Sequence, residues 1–159
     1  MLTDELSLAL GRAVWSFSVI EQMTYEYMRT FSSESLDTVM ADQVFSSRAK
    51  LAARLVEKLD GPEDEKRRAI HCLEEASVLA STRNVIAHNP WRIWMDGRRT
   101  DFRSEIGKYS RREKKFDLGA LMLFTERTQK LASDLEESLG ALRQHSQQES
   151  AADLESWRI

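Results

Sequence analysis

Residues 62–90 read PEDEKRRAIHCLEEASVLASTRNVIAHNP, and the spacing within this stretch decides the class of fold. Pro62 suits the first position of a helix, where its missing N–H costs nothing. Glu63, Asp64 and Glu65 follow it, where the helix dipole favours negative charge. Ala69, Leu73, Ala76 and Ala80 then recur at steps of three and four, which is one face of an α-helix. Arg83 continues that same stripe. Pro90 disfavours helical angles at Asn89, so the helix is expected to end just before it. A guanidinium on a core-facing stripe needs a partner, because burying it unpaired is costly.

Working outward, residues 3–31 read as a long first helix, with Thr3 as N-cap and Asp4 and Glu5 in its first turn. Leu6, Leu10, Ala13, Phe17, Ile20, Met28 and Phe31 give it an apolar stripe. Glu21 lies on that inward face between Phe17 and Thr24, and an inward Glu and an inward Arg83 would satisfy each other. Residues 36–45 read as a short helix or an irregular crossover. A second helix is expected from a cap at Ser46 or Ser47, with Leu51, Leu55 and Leu59 as its stripe, stopped by Gly61 and Pro62.

Beyond Pro90 the periodicity changes. Trp91–Met95, the turn pair Asp96-Gly97 and residues 98–103 predict a small β-hairpin. Residues 105–115 read as a polar loop. Asp117 caps a last long helix whose stripe is Leu118, Leu121, Thr125, Thr128, Ala132, Leu135, Leu139 and Leu142. Four amphipathic helices bury their stripes most economically against one another. The expectation is an all-α domain over residues 1–144, a four-helix bundle with a small β-hairpin between helices three and four. A polar, frayed tail is expected over residues 145–159.

Composition narrows the function. The chain has 159 residues, about one domain. The acidic start, Met1-Leu2-Thr3-Asp4-Glu5, is unlike a secretory signal, and no apolar run is long enough for a membrane span. Cys72 is alone, so no internal disulfide forms and a reducing, cytoplasmic setting is expected. A net charge of −3 argues against nonspecific coating of nucleic acid. Even so, Arg98, Arg99, Arg111, Arg112, Lys114 and Lys115 concentrate in one segment able to hold a polyanion or to stand as a solvated loop. Phosphate-binding glycine loops, metal-ligand spacings and nucleophile elbows are missing from the sequence, so neither cofactor nor metal is expected.

What remains is Arg83-Asn84-Val85-Ile86-Ala87-His88. Arg, a polar residue, three variable residues and His, at the end of the third of four helices with Trp91 and a hairpin after it, resemble the HEPN (higher eukaryotes and prokaryotes nucleotide-binding) superfamily. The resemblance spans approximately residues 3–142. It implies an up-and-down four-helix bundle and a metal-independent ribonuclease site made by Arg83 and His88, often completed across a homodimer. It also implies a toxin or defence role, with an antitoxin or nucleotidyltransferase as protein partner.

The residue types suit that chemistry. RNA carries its own nucleophile, the 2′-OH. A His near neutrality moves the proton, and an Arg fork holds the phosphate. Asn84 and Asn89 would support the pair, and Glu21 would position Arg83. On a straight helix Arg83 and His88 lie about 140° apart, so they converge only if the helix ends between them.

A structural alternative stands beside this reading. Arg83 would then only tie helices through Glu21, and His88 would only cap carbonyls, in a noncatalytic module binding a nucleotide or a protein. Trp91 and Trp94 read as packing residues, His71 and Cys72 as structural or surface residues, and His145 as solvated.

Overall fold

The computed structural model describes residues 2–95, 102–107 and 115–156. In chain order these form α1 (Leu2–Phe31), α2 (Leu36–Val39), α3 (Phe45–Glu57), α4 (Glu63–His88), β1 (Trp91–Met95), β2 (Phe102–Gly107), β3 (Lys115–Phe116) and α5 (Leu118–Ser156). The protein is mainly helical, with one small antiparallel sheet in the order β1-β2-β3. Trp91 pairs with Ile106 and Met95 with Phe102, so the two arms of the expected hairpin are present. Its Asp96-Gly97 turn lies outside the described residues.

Side-chain pairs fix the directions of the helices. Ser16 Oγ meets Thr128 Oγ1 at 2.6 Å, Tyr27 OH donates to the Leu135 carbonyl at 2.8 Å, and Arg143 donates to Thr30 Oγ1 at 2.8 Å. Residue numbers rise together, so α1 and α5 run the same way. Arg127 pairs with Glu75 and Arg68 with Glu137, so α4 runs against α5. The short 58–62 turn folds α3 back along α4.

It follows that α3 runs with α1, and the four long helices do not simply alternate in direction. The reason lies in residues 32–44, which return along α1: Arg29 holds Asp37 at 3.1 Å and Tyr25 OH donates to the Ala41 carbonyl at 3.4 Å. This crossover takes the place of a descending helix. Alternation holds only when it is counted as an element.

The core forms around Phe17, whose ring meets Phe45 edge-on at 5.2 Å and lies nearly parallel to Phe124 at 6.4 Å. Ala69, Leu73, Ala76 and Ala80 of α4 are buried, as are Leu121, Thr125, Thr128, Ala132, Leu135, Leu139 and Leu142 of α5. On α3 the expected stripe is displaced by one residue. The buried positions are Phe45, Arg48, Ala49, Ala52 and Val56, while Leu51, Leu55 and Leu59 are half-buried at the edges. Alanines on both α3 and α4 let the two backbones approach closely, which leaves the larger leucines at the flanks.

Helix starts also differ from expectation. α1 already includes Thr3. α3 begins after Val44, whose extended backbone serves as N-cap without a side-chain bond, so Ser46 and Ser47 lie within the first turn. α5 continues as helix through Ser156 where fraying was expected after Gln144. His145 is half-buried rather than solvated, close to the turn at Gly61. Cys72 is buried, which pushes its thiol pKa up, and burial raises the Tyr27 phenol well above its ordinary range.

Asp117 caps α5 as the sequence suggests: its Oδ1 accepts the Ala120 N–H at 2.8 Å, and its carbonyl accepts the Leu121 N–H at 3.0 Å. Asp117→Ala should therefore lower stability by about 1 kcal/mol. Urea unfolding will show this as a lower midpoint with an unchanged slope. An unmoved midpoint would mean that the cap is energetically idle.

Candidate functional site

Three helices meet at Glu21. Its Oε1 accepts a hydrogen bond from Arg83 Nη2 of α4, the partner that the inward stripes of α1 and α4 predict. The same oxygen is 3.4 Å from Arg48 Nη2 of α3. The Arg83 guanidinium also lies over the Phe17 ring, 5.1 Å from its centroid. Arg48 donates to Tyr25 OH and sits over the Tyr25 ring at 4.7 Å. The site is a carboxylate shared by two guanidiniums on an aromatic floor.

The sequence reading missed Arg48. It lies three residues after Phe45 and four before Ala52, so it occupies the buried face of α3 just as Arg83 occupies that of α4. A stripe drawn through Ala52 and Val56 rather than Leu51 and Leu55 would have revealed a second inward cation.

The condition for Arg83 and His88 to converge within one chain, a helix end between them, is not met. α4 continues through His88, and its C-cap is Asn89, with φ −118° and ψ 144°. The helical path therefore spans both residues and leaves them about 140° apart around the axis. Asn89 contributes to this ending: its Nδ2 donates to the Val85 carbonyl at 2.8 Å, satisfying a group that the helix end leaves open. The carbonyl-capping role considered for His88 thus belongs to Asn89.

His88 and Asn84 are exposed, and Arg83 is partly so, with 20% of its side chain accessible. Neither His88 nor Asn84 makes a polar side-chain contact among the described residues.

Of the basic residues assigned to RNA, Arg98, Arg99, Arg111, Arg112 and Lys114 lie outside the described residues. Lys115 is described, and it pairs with Glu105 at 3.0 Å across β2 and β3. Trp91 is half-buried against the core, in keeping with a packing role. His71 is exposed. No three His, Cys, Asp or Glu side chains group as metal ligands among the described residues. None of the described helices is long and apolar enough to cross a membrane.

Comparison with protein-family models, curated proteins and solved structures returned no match to this chain.

The cluster implies an order of mutational costs. Glu21→Ala takes the carboxylate acceptor from Arg83 and one of three acceptors from Arg48, and should cost roughly 2 kcal/mol, below the figure for a fully buried pair because water still reaches the carboxylate. Arg83→Ala should cost less, since Glu21 keeps Arg48. His88→Ala should stay within about 0.5 kcal/mol, as for other surface positions. Thermal unfolding of the three variants will check the order, and a His88 variant as unstable as the Glu21 variant would contradict it.

Proposed function

We propose that this chain is a HEPN-like helical bundle that acts as a metal-independent endoribonuclease in a symmetric homodimer. In this reading α1, α3, α4 and α5 are the four bundle helices. The observation that carries it is at the end of α4. There Arg83 is held by Glu21 and Phe17 yet reaches solvent, while His88 stands exposed with no polar contact to occupy it among the described residues.

The chemistry follows from these two groups. His88 accepts the proton of the RNA 2′-OH or returns a proton to the departing 5′-oxygen. The 2′-oxygen attacks the adjacent phosphorus, the P–O5′ bond breaks, and a 2′,3′-cyclic phosphate and a 5′-hydroxyl remain. Arg83 stabilises the negative charge on the phosphoryl oxygens during this exchange. The roughly 140° between Arg83 and His88 favours a shared site. In a two-fold pair, the His88 of one copy can complement the Arg83 of the other without new sequence. Asn84, exposed and between them in sequence, would bind phosphate in this reading. A toxin or defence effector, regulated by an antitoxin or nucleotidyltransferase, is the role that the resemblance suggests.

A second reading draws on the same cluster. The engagement of Arg83 with Glu21 suits a noncatalytic module for a nucleotide or a protein, with the cluster as interhelical glue.

Incubation of pure protein with RNA in EDTA separates the two. The catalytic reading expects cleavage that survives chelation and leaves 2′,3′-cyclic ends. It also expects a dimer by light scattering at micromolar concentration, and a 10²- to 10⁴-fold loss in His88→Ala, the usual range for a positioned acid or base. A broad RNA panel left intact by dimeric protein would favour the binding module, and cleavage dependent on a divalent metal would exclude this mechanism.

A further inference from the structure

We propose that Arg48 is a positioning residue that keeps the Arg83 guanidinium uncompensated, making this cluster a receptor for a phosphate group. The ribonuclease reading bears only on whose phosphate is bound.

The first observation is the charge balance. Arg48 and Arg83 share one oxygen of one carboxylate, Glu21 Oε1. Two guanidiniums against one carboxylate leave a net positive charge where three helices pack. An isolated Arg83–Glu21 pair would be neutral and would offer an anion little. Arg48 draws on the same oxygen, so part of the Arg83 charge stays unmatched.

The second observation is the distribution of acceptors. Arg48 is 8% exposed and reaches the Glu21 carboxylate, the Tyr25 hydroxyl and, at 3.5 Å, the Ala41 carbonyl. Its position is fixed from three sides, so its role in this proposal is to act through Arg83. Among the described residues Arg83 has a single acceptor, Glu21, and its Nε is buried with no hydrogen-bond partner, as is Arg48 Nε. A guanidinium offers five N–H donors, and with a fifth of its side chain accessible Arg83 has room for a further acceptor. A tetrahedral oxyanion supplies two acceptors at the spacing of the fork, together with the missing negative charge.

Interhelical glue alone would not need this arrangement. A buried Arg–Glu–Arg triad can be replaced by apolar side chains without loss of stability, as the Arc repressor triad illustrates. A partly accessible guanidinium beside a second cation is what an anion site requires.

The test uses the whole chain and inorganic phosphate, read as binding heat and as the rise in Tm over sodium chloride of equal ionic strength. The parent should show a phosphate-specific rise in Tm. Arg48→Met, which keeps the length of the side chain and removes its charge, should weaken phosphate binding by roughly tenfold, the scale of one lost cation nearby. Arg48→Lys should recover most of that loss. Glu21→Gln removes the only carboxylate of the cluster and should tighten phosphate binding even as it lowers the Tm of the free protein.

Opposite signs for Arg48→Met and Glu21→Gln are the signature, since a merely structural cluster would lose binding in both. A parent that responds equally to phosphate and chloride overturns the inference, and so does Arg48→Met with undiminished binding. Should Arg48→Met fail to fold, the sign for Glu21→Gln decides: tighter binding supports the inference, and unchanged or weaker binding overturns it. Phosphate binding with this sign pattern but no RNA cleavage would retain the receptor and remove the ribonuclease.

Discussion

A carboxylate on one helix that answers to guanidiniums on two others is the constraint on which this fold turns. Glu21 has 27% of its side chain accessible, so water moderates its charge, yet neither arginine can leave it without forfeiting an acceptor. Apolar packing holds α1 against α5 and α4 against α3, but it tolerates small slips along and around the helices. The shared oxygen does not. It joins the turn of α3 that faces α1 to the face of α4 that carries Arg83. Polar groups in a core are well suited to choosing one packing among several of similar energy, though they add little net stability.

The crossover after α1 determines whether that meeting can happen. Had the chain simply reversed after Phe31, a second long helix would run against α1 from its end. Instead residues 32–44 descend beside α1, and α3 starts level with the middle of that helix. Phe45 then reaches Phe17, and Arg48, one turn on, reaches Glu21. Tyr25 links the two parts, since its hydroxyl donates to Ala41 in the crossover and accepts from Arg48 in α3. The short α2 therefore matters for where it delivers the chain rather than for what it buries.

Much of this was legible in the sequence, and what was not has physical causes. The stripe of α4 could be read because its small residues repeat without interruption and Pro90 ends it sharply. Asp117 could be read because a carboxylate before an apolar run has one obvious use. The face of α3 was misread because Leu outranks Ala in any apolar count, whereas burial there was decided by closeness of approach, which favours Ala49 and Ala52. Arg48 was lost with it. The pairing of Glu21 with Arg83 was recoverable because each was a charge out of place on its own helix. The return of residues 32–44 along α1 was not, since it rests on contacts such as Arg29–Asp37 that no periodicity marks.

The same helix that fixes Arg83 also separates it from His88. A helical segment cannot turn two residues five positions apart toward one point, and α4 stays helical through both because Asn89, not His88, closes its end. Proximity must therefore come from elsewhere if the two are to act on one phosphate. Flexing the last turn would sacrifice the Asn89–Val85 bond and leave the Val85 carbonyl without that donor. Bringing up a second copy sacrifices nothing within either chain, because His88 and Asn84 are already exposed. The fold thus leaves each chain with a cation fixed among three helices and an exposed imidazole about 140° further round α4, a separation that the proposed two-fold pair would bridge and that a rigid monomer would not.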